Sequence, residues 1–299
     1  MSVINTNVSA MYSQNAMKTN SRAMSTAMEQ LSTGNRVNSA SDDAAGLAIG
    51  QNMTSQIRGL NQAVRNMNDG INMMQTAEGA MVEQSNMLQR MRELAVQALN
   101  GTYSDTQRGY LDKEFQALQT QIGDIATNTK WNDQTLLDAS QTQNGTAGTF
   151  KYQAGMSPGQ NIVVTISAMT KDGLGLGATS TFGNSALVTA GVASTGNLPP
   201  SIDTLAHATS SIGLISTALE AINTQRAQIG AAINRLQYAA DNLTNVSSNA
   251  TQSRSSIMDT DYALATTQLA KTQIIQQAAT AMLAQANQQP QSVMALLKG

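Results

Sequence analysis

The chain has no cysteine and a single histidine, His207, in 299 residues. Disulfides and thiolate metal sites are excluded, and so is any centre that needs several imidazoles. Aromatic residues make up only 3% of the sequence and charged residues 12%, which does not suit one thick globular core. A formal net charge of −2 offers no basic face to nucleic acid or to an acidic membrane surface. There is no run of about 18 apolar residues, so membrane insertion is not expected. The opening MSVINTNVSAMYSQ has neither a basic start nor an apolar stretch behind it, and no cleaved secretory leader is expected. No cofactor or metal is implied. Catalysis has little to work with.

What the sequence does have is Ala, Ser, Thr, Asn and Gln set in long helical periods. From Ala44 to about Asn100, Ile57, Leu60, Val64, Met67, Ile71 and Met74 alternate threes and fours; Met81, Leu88 and Ala95 then hold sevens. That is the seam of a helix packed over several heptads. Glu78 and Ser85 interrupt one line of it. At 1.5 Å per residue the rod is on the order of 85 Å long and needs partners of similar length. Ile212, Ile215, Leu219, Ile222, Ile229, Ile233, Leu236, Ala240 and Leu243 repeat the alternation, with Arg226 as the one break. Ser104 and Gln107 make a capping box that opens a further helix to about Asn128, striped by Leu111, Phe115, Leu118, Ile122 and Ile125. Three antiparallel rods sharing one core follow, an elongated and mainly α fold. Gly46, Gly50, Gly59, Gly70 and Gly79 lie inside the long helix, each costing about 1 kcal/mol relative to Ala, which points to close approach of neighbours.

Trp131–Leu137 reads as an extended connection with the indole as a packing anchor. Thr149–Gln153 and Asn161–Ala168 read as a β-hairpin turning at Pro158-Gly159. Ile162, Val164 and Ile166 face one way, Val163, Thr165 and Ser167 the other. Residues 171–200, rich in Gly, Ser, Thr and Ala, are too few for a further domain. His207 reads as a surface or packing residue. The two ends are thinner. Ala10, Met17, Met24 and Leu31 lie seven apart, with Met28 between the last two. Gly34-Asn35 stops that helix, and Ser41, Asp42 and Asp43 offer the next one an N-cap. Asp259–Gln289 carries Ile275, Ala279, Met282 and Ala286 on one face, with Pro290 as its stop and Val293, Leu296 and Leu297 beyond. Ordering a residue costs roughly 1–2 kcal/mol, while burying a large apolar side chain returns about 1.5–3 kcal/mol. Stripes this sparse do not hold a helix alone, so both ends are expected to be disordered in the free chain and to fold when partners cover them.

Five stretches carry a resemblance. MSVINTNVSAM, LSTGNRVNSASDDAAGLAI, LQRMRELAVQALNGT (residues 88–102), SRSSIMDTDYA (253–263) and LAQANQQPQSVMALL (283–297) resemble, in that order, the terminal signatures of bacterial flagellins. The likeness covers roughly residues 1–176 and 200–299. It implies an inner terminal coiled-coil domain of residues 1–43 and 256–299, and a helical rod domain with the β-hairpin, residues 44–176 and 200–255. Residues 177–199 become a short variable surface loop where larger members insert outer domains. Relatives with a metallopeptidase insertion carry an HExxH motif, which this chain lacks.

The implied function is that of a non-enzymatic structural subunit. It polymerises into the extracellular flagellar filament and is exported through the flagellum's own type III channel. A hook–filament junction protein is the alternative within the family, and a coiled-coil secreted effector or adhesin the alternative outside it. By resemblance, Gln89, Arg90, Glu93, Leu94, Gln97, Glu114 and Leu219 match positions that flagellins present to Toll-like receptor five and use to stack along a protofilament. Met24, Met28, Leu31, Ile275 and Met282 are expected to form the buried assembly seam, with Leu296 and Leu297 as a terminal anchor. Ser180, Thr181, Ser185, Thr189, Ser194 and Thr195, in a stretch with no apolar pattern, are candidate positions for O-linked sugars. The implied partners are further copies of the chain, the filament cap, hook-junction proteins, an export chaperone and the host receptor.

Overall fold

The computed structural model describes residues 7–143, 146–177 and 200–297. Within them α1 covers Val8–Thr33, α2 Ala44–Ala98, α3 Asp105–Asn128, α4 Leu205–Met258 and α5 Tyr262–Leu297. Three antiparallel strand pairs complete the described elements: β1 (Lys130–Trp131) with β2 (Gln134–Thr135), β3 (Thr142–Gln143) with β4 (Thr146–Ala147), and β5 (Thr149–Gln153) with β6 (Asn161–Thr165). The fold is mainly α, as the periodicity implies. Two compact units divide the chain, one running up to Arg58 and resuming at Ser247, the other from Gly59 to Val246. The division falls inside α2 and inside α4.

In the unit from Gly59 to Val246, three rods share one core. Met74, Met81 and Leu88 of α2, Phe115 and Ile122 of α3, and Ile215, Ile222 and Ile229 of α4 are fully buried. α2 runs antiparallel to the other two: Arg108 reaches Ala98 and Gln84 reaches Ile122 of α3, while Met67 clusters with Leu236 and Glu78 meets Arg226 of α4. Ser104 and Gln107 form the expected capping box. The adjoining Arg108 is buried and donates to the carbonyls of Ala98 (2.7 Å) and Asn100 (3.3 Å), capping the end of α2. Glycine does permit close approach at Gly70, where a Cβ would meet the Tyr152 ring at 2.7 Å, whereas Gly79 has nothing within 4 Å.

Trp131–Leu137 does not run extended. Asn132 and Asp133 hold φ of 49° and 62° and make a two-residue turn between β1 and β2, since their short polar side chains tolerate the left-handed region. Leu136 and Leu137, rather than the half-buried Trp131, are the deep anchors. The second strand of the main hairpin ends at Thr165, not Ala168, because its partner begins opposite, at Thr149. Ile166 then donates to the carbonyl of Gly148, which turns away at φ 70°. The alternation of faces holds, with Val164 and Ile166 buried and Val163 and Thr165 exposed.

Three glutamines pin the exit of this hairpin, one from each rod. The buried Gln84 amide donates to Ile122 O (3.2 Å) and Met169 O (3.0 Å), and Gln119 donates to Leu176 O. Gln225 donates to Thr165 O at 3.1 Å and accepts from Ser167 N at 3.1 Å.

In the other unit, α1 lies antiparallel to α5. Gly34, at φ 74°, ends α1 by donating to Gln30 O. Arg36 then satisfies the end of α4, its backbone donating to Met258 O (2.6 Å) and its guanidinium to Ile257 O (2.7 Å). Asp43 caps α2 through Gly46 N (2.9 Å), while Asp42 ties the preceding loop through Asn38 N and Ser39 N. Pro290 does not stop α5, which continues to Leu297. Proline has no N–H for the carbonyl four residues back, but Asn7 Nδ2 donates to that carbonyl, Ala286 O, at 2.8 Å.

Candidate interaction surfaces

The first surface is built on α1 and α5. Their facing positions follow one antiparallel heptad register. Hydrogen bonds mark it at Asn7 with Ala286, Asn20 with Thr272, and Tyr262 with the Leu31 carbonyl. What the two helices bury is small or polar: Ala10, Asn20, Ala27, Ala265, Thr272 and Ala286. Met24 and Leu31 are half-buried on this seam. Met28, Ile275 and Met282 are not closed over within one chain, and Met282 stays 64% exposed. Tyr12 at 79% and Leu264 at 70% extend the apolar surface left open. Exposed large apolar side chains along two paired helices mark a surface open to interaction. The side chains of Leu296 and Leu297 lie outside the described residues, as do Ser180, Thr181, Ser185, Thr189, Ser194 and Thr195.

The second surface lies on α2, α3 and α4. Arg90 forks between two carboxylates, with Nε 3.0 Å from Glu114 Oε1 and Nη1 3.0 Å from Glu93 Oε2. The bond to Glu114 first, and then that to Glu93, holds the guanidinium above its ordinary pKa range. Gln89 is exposed beside it, and Gln97 donates to the Tyr103 hydroxyl at 3.0 Å. Leu94 does not share this surface. It is 1% exposed and belongs to the core beneath, as its place on the inner face of α2 requires. A groove of about 490 Å³ runs between α2 and α4, lined by Gln89, Arg92, Glu93, Val96, Gln97 and Leu219. Arg92, which the seam periodicity does not single out, also lines the adjoining groove with Glu220 and Asn223. Its place one turn from Leu88 and Val96 was the available signal.

His207 sits at the start of α4, where its Nδ1 lies 2.6 Å from Asp203 Oδ1 and 3.2 Å from Ser201 Oγ. Both partners address the same ring nitrogen, so this is a cap-like cluster and not a proton relay between serine and carboxylate. Among the described residues, no three His, Asp or Glu side chains are grouped to hold a metal ion, and no helix is long and apolar enough to cross a membrane.

Comparison with known proteins places these elements. Residues 4–142 match the family model described as the bacterial flagellin N-terminal helical region, and residues 212–297 the bacterial flagellin C-terminal helical region. A flagellin from Halalkalibacterium halodurans is 42% identical over 296 residues, covering 99% of this chain and all of that one. Flagellin A from Vibrio anguillarum is 35% identical over 381 residues, with 99% of each chain covered. A structure described as that of a flagellar hook-associated protein from Vibrio parahaemolyticus superposes with a TM-score of 0.56, 15% identity and coverage of 73% of this chain and all of that one. That last likeness is one of fold.

Proposed function

The chain belongs to the bacterial flagellin family, and from that premise we propose which of its surfaces do the work. It is a structural subunit that self-assembles into the extracellular flagellar filament of swimming motility. The apolar side chains left exposed on α1 and α5, namely Tyr12, Met28, Leu264, Ile275 and Met282, are what neighbouring subunits cover. The observation that carries this is the contrast between what those helices bury and what they leave out. Alanines, a threonine and an asparagine return little on burial, while about sixty residues must be ordered at roughly 1–2 kcal/mol each. The ends therefore order fully only when copies of the chain close over Met28, Ile275 and Met282, with Leu296 and Leu297 as the last anchor. In this reading the terminal domain is residues 1–43 with 256–299 and the rod domain 44–176 with 200–255; of the segment 177–199, residues 178–199 lie outside the described residues.

Limited proteolysis of the monomer, followed by polymerisation, tests it. The expected result is a stable core fragment that no longer assembles. A trimmed core that still grows filaments overturns the reading.

The Arg90–Glu93–Glu114 surface, with Gln89, Gln97 and Leu219, serves both axial stacking in the filament and recognition of the monomer by Toll-like receptor five. A guanidinium held between two carboxylates on rigid helices makes a well-oriented anchor. The filament cap, hook-junction proteins and an export chaperone complete the set of partners, and export proceeds through the type III channel. Intact mass of protein from its native host, set against the bare 31.5 kDa, decides whether the 177–199 serines and threonines carry sugars.

A further inference from the structure

We propose that two asparagines, Asn7 capping α1 and Asn20 within it, set the heptad register in which the two ends of the chain pair. The proposal rests on the pairing of α1 with α5 and not on which surface neighbours cover.

The facing layers run Ala10 with Leu283, Met17 with Gln276, Asn20 with Thr272, Met24 with Leu269, and Ala27 with Ala265. Each antiparallel pair follows the register that the Asn7–Ala286 and Asn20–Thr272 bonds establish. Apolar packing in these layers discriminates poorly. Methionine adapts its shape to whatever faces it, and alanine offers little to lose, so a slide of one whole heptad keeps much the same contacts. The polar layer does not survive the slide. Asn20 Nδ2 donates to Thr272 O at 2.8 Å and to Gln276 Oε1 at 3.1 Å, and Asn20 is buried. Shifted by seven residues in one direction, it would face Ala279 and Leu283; in the other, Ala265 and Leu269. Either layer still presents a backbone carbonyl in place of Thr272 O, but neither offers a side-chain acceptor in place of Gln276 Oε1, so the amide loses one of its two hydrogen bonds on sliding. A single buried asparagine at a seam position is a known means of fixing coiled-coil register.

Asn7 adds a second, independent pin. Its Oδ1 accepts from Ala10 N at 3.0 Å and so caps α1, while its Nδ2 donates to Ala286 O. That carbonyl lacks its helical donor because residue 290 is proline. One heptad away, at residues 279 and 293, the carbonyls lie opposite residues 283 and 297, which have N–H groups, so neither position presents the same orphan. Asn7 thus reads the position of Pro290, and Asn20 reads that of Gln276. Both readings agree on one register.

The absence of native cysteine makes disulfide trapping a clean test. Three double-cysteine versions of the full chain are assembled into filaments, and only disulfides within one chain are counted. M24C with L269C reports the register seen here, M17C with L283C a slide one way, and M17C with L269C a slide the other way. With Asn7, Asn20 and Pro290 intact, only the first pair should close. With Asn20→Leu and Pro290→Ala, the slipped pairs should rise at least about tenfold. Asn20→Leu with Ala27→Asn, which moves the asparagine one heptad, should shift the main disulfide to the M17C–L283C pair. If the first pair alone closes in every background, or if the substitutions abolish all three disulfides, the asparagines do not select register and the proposal fails. Filament growth is scored separately by electron microscopy, so a failure of the assembly surface is distinguished from a change of register.

Discussion

Arg226 Nη2 lies 3.7 Å from Glu78 Oε1. Arg226 is the break in the apolar seam of α4 and Glu78 is one of the two in that of α2, and they meet. Each rod carries a charge where its period calls for an aliphatic residue, and the partner rod supplies the opposite charge. Both side chains are about one-third exposed, so the intact pair contributes little net stability. Arg226 Nε, moreover, is buried without a hydrogen-bond partner. Glu78→Leu alone should cost about 1–2 kcal/mol by leaving a half-buried guanidinium unpaired, whereas Glu78→Leu with Arg226→Leu should be close to neutral. A double-mutant cycle in urea unfolding measures both. A double substitution as damaging as the sum of the singles would show that the pair does not act as a unit.

Gln84 should be the most sensitive polar position in the rod core. Its amide donates to Ile122 O and Met169 O from a fully buried site. Gln84→Met conserves volume but removes the donor to the hairpin exit, and should cost about 1–3 kcal/mol. Guanidinium unfolding reads the loss, and increased hydrogen exchange at residues 166–176 localises it. Unchanged exchange there would place the role of Gln84 elsewhere.

Asp203 gives α4 an acid-dependent start. The bond from His207, and then that from Ser201, holds its carboxyl below the usual carboxylate range despite some burial. A depressed folded-state pKa means the stabilisation is fully present above the unfolded value of about 4 and is lost as pH falls through the lower folded value. The stability difference between the natural chain and Asp203→Asn should therefore be constant at neutral pH and shrink on acidification below pH 4. Unfolding curves recorded from pH 7 to pH 2 check the sign. A difference that grows in acid contradicts it.

Arg90→Ala should separate recognition from folding. Its ion pairs to Glu93 and Glu114 are half-exposed, so the stability of the monomer should be little changed. Receptor activation by monomer should fall markedly, since the anchor of the surface is gone. Undiminished activation would remove Arg90 from the receptor contact.

Much of this protein is legible from one strand of text because its rods are long and each repeats a single rule. Over fifty residues, a 3–4 alternation has only one helical face to occupy, so α2, α3 and α4 and their inner residues follow from spacing, as does the capping box at Ser104. The terminal signatures likewise identify the family. The tertiary structure decided what periodicity does not encode. Nothing in the sequence sets Gln84, Gln119 and Gln225 apart from the other glutamines, because a buried glutamine differs from an exposed one only in which carbonyls reach it, and the hairpin exit brings those carbonyls. Leu94 reads as part of a receptor-facing strip, yet its angle on the helix places it inward. Pro290 reads as a stop because local chemistry leaves a carbonyl orphaned, and only a side chain 283 residues earlier in the chain, on Asn7, removes that penalty. Local rules set which elements form. Long-range hydrogen bonds to backbone carbonyls set where they end and how they register, because each such bond depends on two segments that the sequence holds far apart.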